Sequence, residues 1–365
     1  MTNFHGSDLE KIEAAYGIKK ETIINYSSNV NPLGLSSYIT TYLPQKIELI
    51  ASYPDRDYTS LRASIGLYAN ANPEHIMVGN GSTELISLCI KAVSPKNSVI
   101  IGPTYSEYER EIKLTGGSIS YYVLNEATRF KIDIESLKSY LSKDVDLLVI
   151  CNPNNPTSTA ITTKEMEQIL KYCKEKKIFV LVDETYVEFS DSIEDVSSVS
   201  LTSHYDNIMV IRGVSKFFAA PGLRLGYSVS SNSELHSKIN SVKNPWTINA
   251  LAAYAGELML QDTDYINKTR NHIAAERKKI TALLNEWDFV DFVEPDANFV
   301  LVKSLLPEIT SSVLFYKLLK KKLMIRDAST FPFLDSYYFR FCFLSSEDND
   351  FLMKEIYTIM TENRN

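Results

Sequence analysis

Cysteine is scarce and scattered in this chain. Cys89, Cys151, Cys173 and Cys342 include no Cys-x-x-Cys pair, so their spacing indicates neither a zinc site nor a disulfide framework, and no metal is expected. An excess of positive charge is also missing. With 38 Lys and Arg against 45 Asp and Glu, the formal net charge is −7, which argues against a nucleic-acid partner. A local basic pocket for an anionic metabolite stays compatible with that balance. No apolar run approaches the length that crosses a bilayer, so no membrane partner is expected. The opening stretch Met1 to Glu10 is polar and has no signal-peptide core. Internal repeats and low-complexity linkers are absent. These absences leave the expectation of a cytoplasmic globular protein.

What is present fits that expectation. Hydrophobic residues make up 44% and charged residues 23% of 365 positions, enough for one large domain and a smaller one with a sizeable core. Near the start, a helical pattern from Leu9 to Tyr16 stops at Gly17, and a short strand runs into the turn Asn25 to Gly34. A further helix is predicted from Thr59 to Tyr68. Then continuous apolar runs recur: Ile76 to Val78, Val99 to Ile101, Leu147 to Ile150, Phe179 to Val182 and Ile208 to Ile211. Continuous rather than alternating runs, separated mostly by helical stretches, predict a largely parallel sheet buried on both faces. Past Tyr227 the pattern changes to a long helix from about Asp264 to Trp287, short strands at 298–302, 323–326 and 338–343, and a last helix near 350–360. The predicted class is therefore α/β, a large domain with a mostly parallel sheet flanked by helices, plus a smaller α+β domain. The expected division is 1–45 for an N-terminal arm with part of the small domain, 46–250 for the large domain, and 251–365 for the C-terminal small domain.

Each apolar run ends in a polar cluster, and ligands of open α/β sheets bind at that carboxyl edge. Gly79-Asn80-Gly81-Ser82-Thr83 feeds a helix N-terminus, where free N–H groups favour an anion. On its own such a glycine turn serves a turn equally well. Tyr105 follows the next run, Asn155 the next, and Asp183 and Tyr186 the one after. The last run leads to Ser215-Lys216, a Pro-Gly turn, and Arg224 eight residues beyond the lysine. Among apolar neighbours Lys216 loses solvation, which lowers an ammonium pKa and frees a nucleophilic amine. Ser215 and Arg224 supply a hydroxyl and a planar cation suited to phosphate.

The string S-K-F-F-A-A-P-G-L-R-L-G-Y (215–227) resembles the lysine segment of fold-type I pyridoxal-phosphate transferases. NPNNPT (152–157) and DETY (183–186) place the resemblance nearest the histidinol-phosphate aminotransferase branch. It implies pyridoxal 5'-phosphate as cofactor, with Lys216 as the amine that attaches it and Asp183 as the carboxylate at its ring nitrogen. Asn155 and Tyr186 fall at the ring oxygen, and Tyr105 on the ring face. Gly81, Ser82, Thr83, Ser215 and Arg224 form the phosphate cup. It also implies a homodimer in which a tyrosine of the partner reaches the phosphate, with Tyr53 the candidate ahead of Tyr58. Gly213 departs from the hydroxyl residue often found two positions before Ser215, which removes one donor from the cup.

A closer resemblance extends from His5 to about Ser345. His5-Gly6, SSNVNPLG (27–34), YPDRDY (53–58), NPWTINALAAYAGE (244–257) and LDSYYFRF (334–341) look like the threonine-phosphate decarboxylase family of cobalamin biosynthesis. That family implies decarboxylation of a small phosphorylated amino acid, threonine or serine phosphate, to aminopropanol phosphate or ethanolamine phosphate. Arg326 and His5 would hold the phosphate, and Arg340 with Asn29, Val30 and Asn155 the carboxylate end. Three departures stand beside it: Ser7-Asp8 for the Gly-Asn of an HGGN opening, Leu344 for a second arginine, and Tyr186 for a phenylalanine. An aminotransferase acting on histidinol phosphate is the alternative, and a non-catalytic protein binding pyridoxal phosphate a distant one.

Overall fold

The computed structural model describes residues 8–141 and 144–362. His5 lies outside the described residues. Strand β1 (Ile24–Asn25) follows the first helix, Leu9–Tyr16, which ends as expected at Gly17 in the left-handed conformation, φ +68°. The principal sheet then forms from β2 (Ile76–Gly79), β3 (Asn97–Gly102), β4 (Ser118–Val123), β5 (Leu147–Cys151), β6 (Phe179–Asp183), β7 (Ile208–Gly213) and β8 (Gly226–Val229). Their order is β2-β8-β7-β6-β5-β3-β4. β3 to β7 pair in parallel, whereas β8 runs antiparallel to both β2 and β7. β2 therefore points the same way as β7, and the five polar clusters do leave one edge of the sheet.

Continuous apolar sequence explains the burial. Every residue of β2, β5, β7 and β8 is inaccessible, as expected for a sheet covered on both faces. Two strands of the sheet carry no such sequence signal. β4 sits at the edge and alternates exposed and half-buried residues, and β8 is short and includes glycine and serine. Helix Gly81–Val93 begins three residues before the expected Glu84, so Ser82 and Thr83 lie in its first turn.

The second sheet is antiparallel. It contains β9 (Val290–Phe292), β10 (Phe299–Ser304), β12 (Arg326–Asp327) and β13 (Tyr338–Cys342) in the order β12-β13-β10-β9, while β11 (Leu323–Met324) pairs in parallel with β1. The single strand expected over 323–326 is thus two, divided at Ile325 between two sheets. Among the described residues no helix is long and apolar enough to cross a membrane.

Candidate active site

The cavity of about 880 Å³ at the carboxyl edge of the principal sheet is lined from both sheets. Parallel register sets its floor: Cys151 lies opposite Asp183 and Asp183 opposite Ile211, so the loops after β5, β6 and β7 emerge side by side. Lys216 Nζ, on the loop after β7, donates to the Ser28 carbonyl at 2.7 Å. Burial lowers its ammonium pKa to about 8, with the Arg340 charge adding to the effect. An amine so placed is available as a nucleophile near neutral pH.

Asp183 is buried, which raises its pKa above the ordinary carboxylate value, and its neighbours oppose that rise. Thr185 Oγ1 donates to Oδ1 at 2.5 Å, the Thr185 N–H at 3.0 Å, and Tyr108 OH to Oδ2 at 2.7 Å. These donors favour the ionised form. Neither Tyr108 nor Thr185 is singled out by the sequence. Tyr108 stands three residues after Tyr105 in the same Tyr-Ser-Glu-Tyr loop, and only the fold shows that its hydroxyl turns to Asp183. The two rings meet edge to face at 5.7 Å, and Thr83 hydrogen-bonds to Tyr105.

Ser82, Thr83, Ser215 and Arg224 all line the same end of the cavity. Gly81 lies behind that wall and makes it possible. Its φ is +78°, and a Cβ there would stand 2.4 Å from Arg224 Nη2. A Cβ on Gly226 would stand 2.7 Å from the backbone of Gly81 and Ser82, so the sheet can approach the helix start only with glycine. Gly213 is different: a Cβ there would make ordinary contacts of 3.7 Å with the Leu225 carbonyl and the Ser82 Cβ.

Arginines define the other end. Arg326 and Arg340 are direct partners across the antiparallel pair β12 and β13, and both are buried. Like charges directly opposed on a sheet are destabilising unless something answers them. Arg340 donates to Asn155 Oδ1 and to the Ser27 carbonyl, the latter at 2.7 Å, and lies 5.2 Å from the Phe299 ring centroid. Arg326 Nη2 donates to Thr330 Oγ1 at 2.7 Å and its guanidinium lies 5.3 Å from the Phe331 ring centroid. Burial lowers the Arg326 pKa to about 10, and the Arg340 charge lowers it further. None of these protein contacts to Arg326 is with a carboxylate. Asn29 Nδ2 donates to Tyr186 OH at 3.3 Å, and Asn298 holds the Asn29 carbonyl at 3.0 Å. Asn29 has φ +56°, a conformation asparagine tolerates. Val30 follows it in the cavity wall.

Of the residues expected from sequence, the structure brings together Asn29, Val30, Ser82, Thr83, Tyr105, Asn155, Asp183, Tyr186, Ser215, Lys216, Arg224, Arg326 and Arg340 in one wall. Tyr53 is outside it, 82% exposed and packed at 5.0 Å on Trp246. Tyr58 is buried, and its hydroxyl is engaged by the Ile248 backbone.

The donor set fits pyridoxal phosphate: a desolvated amine, a buried carboxylate whose hydrogen-bond donors favour its ionised form, an aromatic face, and a cup of hydroxyls, helix N–H groups and one arginine. Ser27, Asn29 and Arg340 also line this cavity, and their buried Oγ, Oδ1 and Nε atoms have no hydrogen-bond partner among the described residues. The fold and this site define a fold-type I pyridoxal-phosphate enzyme. The chain belongs to the aminotransferase class I and II family, whose model matches residues 21–356, and its cofactor is pyridoxal phosphate. A putative threonine-phosphate decarboxylase of Caldanaerobacter subterraneus is 37% identical over 90% of this chain and 88% of its own length. The threonine-phosphate decarboxylase of Salmonella typhimurium is 29% identical over 98% of this chain and 96% of its own. The crystal structure of the histidinol-phosphate aminotransferase from Clostridium acetobutylicum superposes with a TM-score of 0.86 at 34% identity, covering 92% of this chain and 99% of that one.

Proposed function

We propose that this protein decarboxylates a small phosphorylated amino acid, L-threonine O-3-phosphate or L-serine O-phosphate. The products are aminopropanol phosphate or ethanolamine phosphate, for the nucleotide loop of a cobamide. The observation that carries this is the pair Arg326 and Arg340, buried and directly opposed across two strands. Two buried guanidiniums opposed across one strand pair suit a ligand with two anions, and a phosphorylated amino acid has a carboxylate and a phosphate. The likeness to two threonine-phosphate decarboxylases supports the same choice.

Ser82, Thr83, Ser215 and Arg224 would hold the cofactor phosphate, with Gly81 leaving room for the arginine. Lys216 would attach the cofactor, Asp183 would face its ring nitrogen, Tyr105 its ring face, and Asn155 and Tyr186 its ring oxygen. Bound there, pyridoxal phosphate supplies a sink for the electron pair left at Cα when one of its bonds breaks. The protein decides which bond that is. Arg340, fixed by Asn155 and the Ser27 carbonyl, would grip the substrate carboxylate and orient the bond that breaks, with the carboxylate leaving as CO₂. Arg326 anchors the phosphate at the far end, assisted by His5. Lys216 Nζ returns a proton to Cα.

A homodimer in the cytoplasm belongs to this proposal, with Tyr53 completing the partner's cofactor site. Its support is the exposed apolar set Leu35, Ile47, Ile50, Tyr53 and Trp246, and four free, buried cysteines. Division into segments 1–45, 46–250 and 251–365 is proposed with it, supported by the β1–β11 pairing that joins the arm to the C-terminal part.

Amino transfer from histidinol phosphate is the second reading, favoured by the 34% identical aminotransferase structure. Histidinol phosphate has one anion and would leave Arg340 unanswered. Incubating the holoenzyme with threonine phosphate, and separately with histidinol phosphate and 2-oxoglutarate, decides between them. Release of CO₂ from the first is expected. Glutamate formed from the second, without CO₂ from the first, would overturn the proposal.

A further inference from the structure

A carboxylate stands in the wall of this cavity near its Arg326 end. Asp8, immediately before helix Leu9–Tyr16, lines the cavity together with Arg326 and Thr330. Two carboxylates act on the Arg326 charge, those of Asp327 and Asp8. Asp327 is turned away: its Oδ1 accepts from the Ser311 and Ser329 hydroxyls and the Ser329 N–H. Of the two, Asp8 is the one in the cavity wall. Charged groups that interact with Asp8 include Glu10 and Lys11 of the first helix and Arg326 of β12, and Lys216 and Arg340 line the same cavity. Lys11 Nζ reaches Asp8 Oδ2 at 3.2 Å but is 66% exposed, so water screens that pair. The Asp8 side chain makes no capping hydrogen bond to its helix.

An ionised carboxylate can only accept hydrogen bonds, and a dianionic phosphate ester likewise offers acceptors alone. Side by side they repel, with no proton between them. A monoanionic phosphate ester carries one O–H that a carboxylate can accept while Arg326 takes the other oxygens. Resting on the two-anion reading above, we propose that Asp8 is a specificity-determining residue that makes the site select the monoanionic form of the distal phosphate. An ester of sulfate, which is monoanionic at every working pH but has no O–H, then serves as the reference for charge alone.

The test uses ligands that cannot react. 3-Phosphoglycerate has the two anions of serine phosphate with a hydroxyl in place of the amine, and its 3-sulfate ester is the reference. Both are titrated calorimetrically into the holoenzyme between pH 6 and 8. A phosphate ester loses its second proton near pH 6, so the monoanion fraction drops about fifty-fold over that interval. The wild-type affinity for 3-phosphoglycerate is expected to fall by about that factor relative to the sulfate ester, whose profile reports every titration except the ligand's own. Asp8→Asn should flatten the relative profile to within a few-fold, and Asp8→Glu, which keeps the acceptor, should retain it. Parallel profiles for the two esters in the wild type, or an unchanged profile in Asp8→Asn, overturn the role of Asp8 and leave the two-anion site standing. Failure of both esters to bind overturns the two-anion site itself.

Discussion

Asp183 shows what a single residue owes to its neighbours. Burial pushes its carboxyl pKa up, and the donors Tyr108 and Thr185 act against that. Tyr108→Phe removes one of them, so the Asp183 pKa rises and the acidic limb of the activity profile moves to higher pH. An unmoved limb in kcat/KM against pH would contradict the role. Asp183→Asn should retain cofactor but lose activity by roughly 10²–10³, the scale of deleting one preorganised electrostatic partner. Lys216→Ala should fold and bind cofactor without attaching it. Borohydride reduction followed by peptide mass spectrometry reads this directly, and a cofactor-labelled peptide from the variant would contradict it. Asp183 was legible in the sequence because a charge directly after a buried apolar run is costly unless used, and Lys216 because it stands among apolar residues in a Ser-Lys segment before a Pro-Gly turn. Tyr108 was not, because its hydroxyl becomes a partner of Asp183 only through the pairing of β3 with β5 and of β5 with β6.

Between elements, the close approach of β8 to the start of helix Gly81–Val93 shapes the phosphate end. Gly226→Ala would press on the Gly81 carbonyl carbon and the Ser82 nitrogen, an overpacking that costs roughly 1–3 kcal/mol. Its expected signature is a pyridoxal-phosphate dissociation constant raised about tenfold or more. Equilibrium dialysis checks it, and unchanged affinity would count against the cup. Behind the sheet a buried network ties β6 to β7: Arg212 pairs with Glu184 at 2.9 Å and donates to Ser197 at 2.6 Å. Glu188 belongs to it, and burial raises its carboxyl pKa to about 7, opposed by Arg212. Because this folded value lies above the ordinary 4.5, folding binds a proton between the two, and stability falls as pH rises from about 4.5 to about 7. Glu188→Gln should therefore gain in melting temperature relative to wild type between pH 5 and 7.5, and a constant difference would contradict the assignment. Apolar runs announced β2, β3, β5, β6 and β7 in advance. The reversed β8 and the break at Ile325 were hidden, because short strands reveal direction and sheet membership only through their partners.

At the scale of the molecule, two sheets converge on one cavity, lined by Lys216 and by two arginines far from it in sequence. Arg326 and Arg340 were singled out by the resemblance to the decarboxylase family, but their direct opposition is a property of register alone. The proposed shared site predicts complementation: Lys216→Ala and Tyr53→Phe chains, each inactive alone, should regain partial activity when mixed, and an active monomer in sedimentation would refute sharing. The central claim is that opposed guanidiniums select a doubly anionic substrate and direct the loss of its carboxylate. It is tested most directly by CO₂ release from carboxyl-labelled threonine phosphate and threonine, compared as kcat/KM in wild type and Arg326→Ala. Strong preference for the phosphorylated substrate in wild type, abolished in the variant, is the predicted result. Equal use of both by the wild type, or a preference that survives Arg326→Ala, would contradict it.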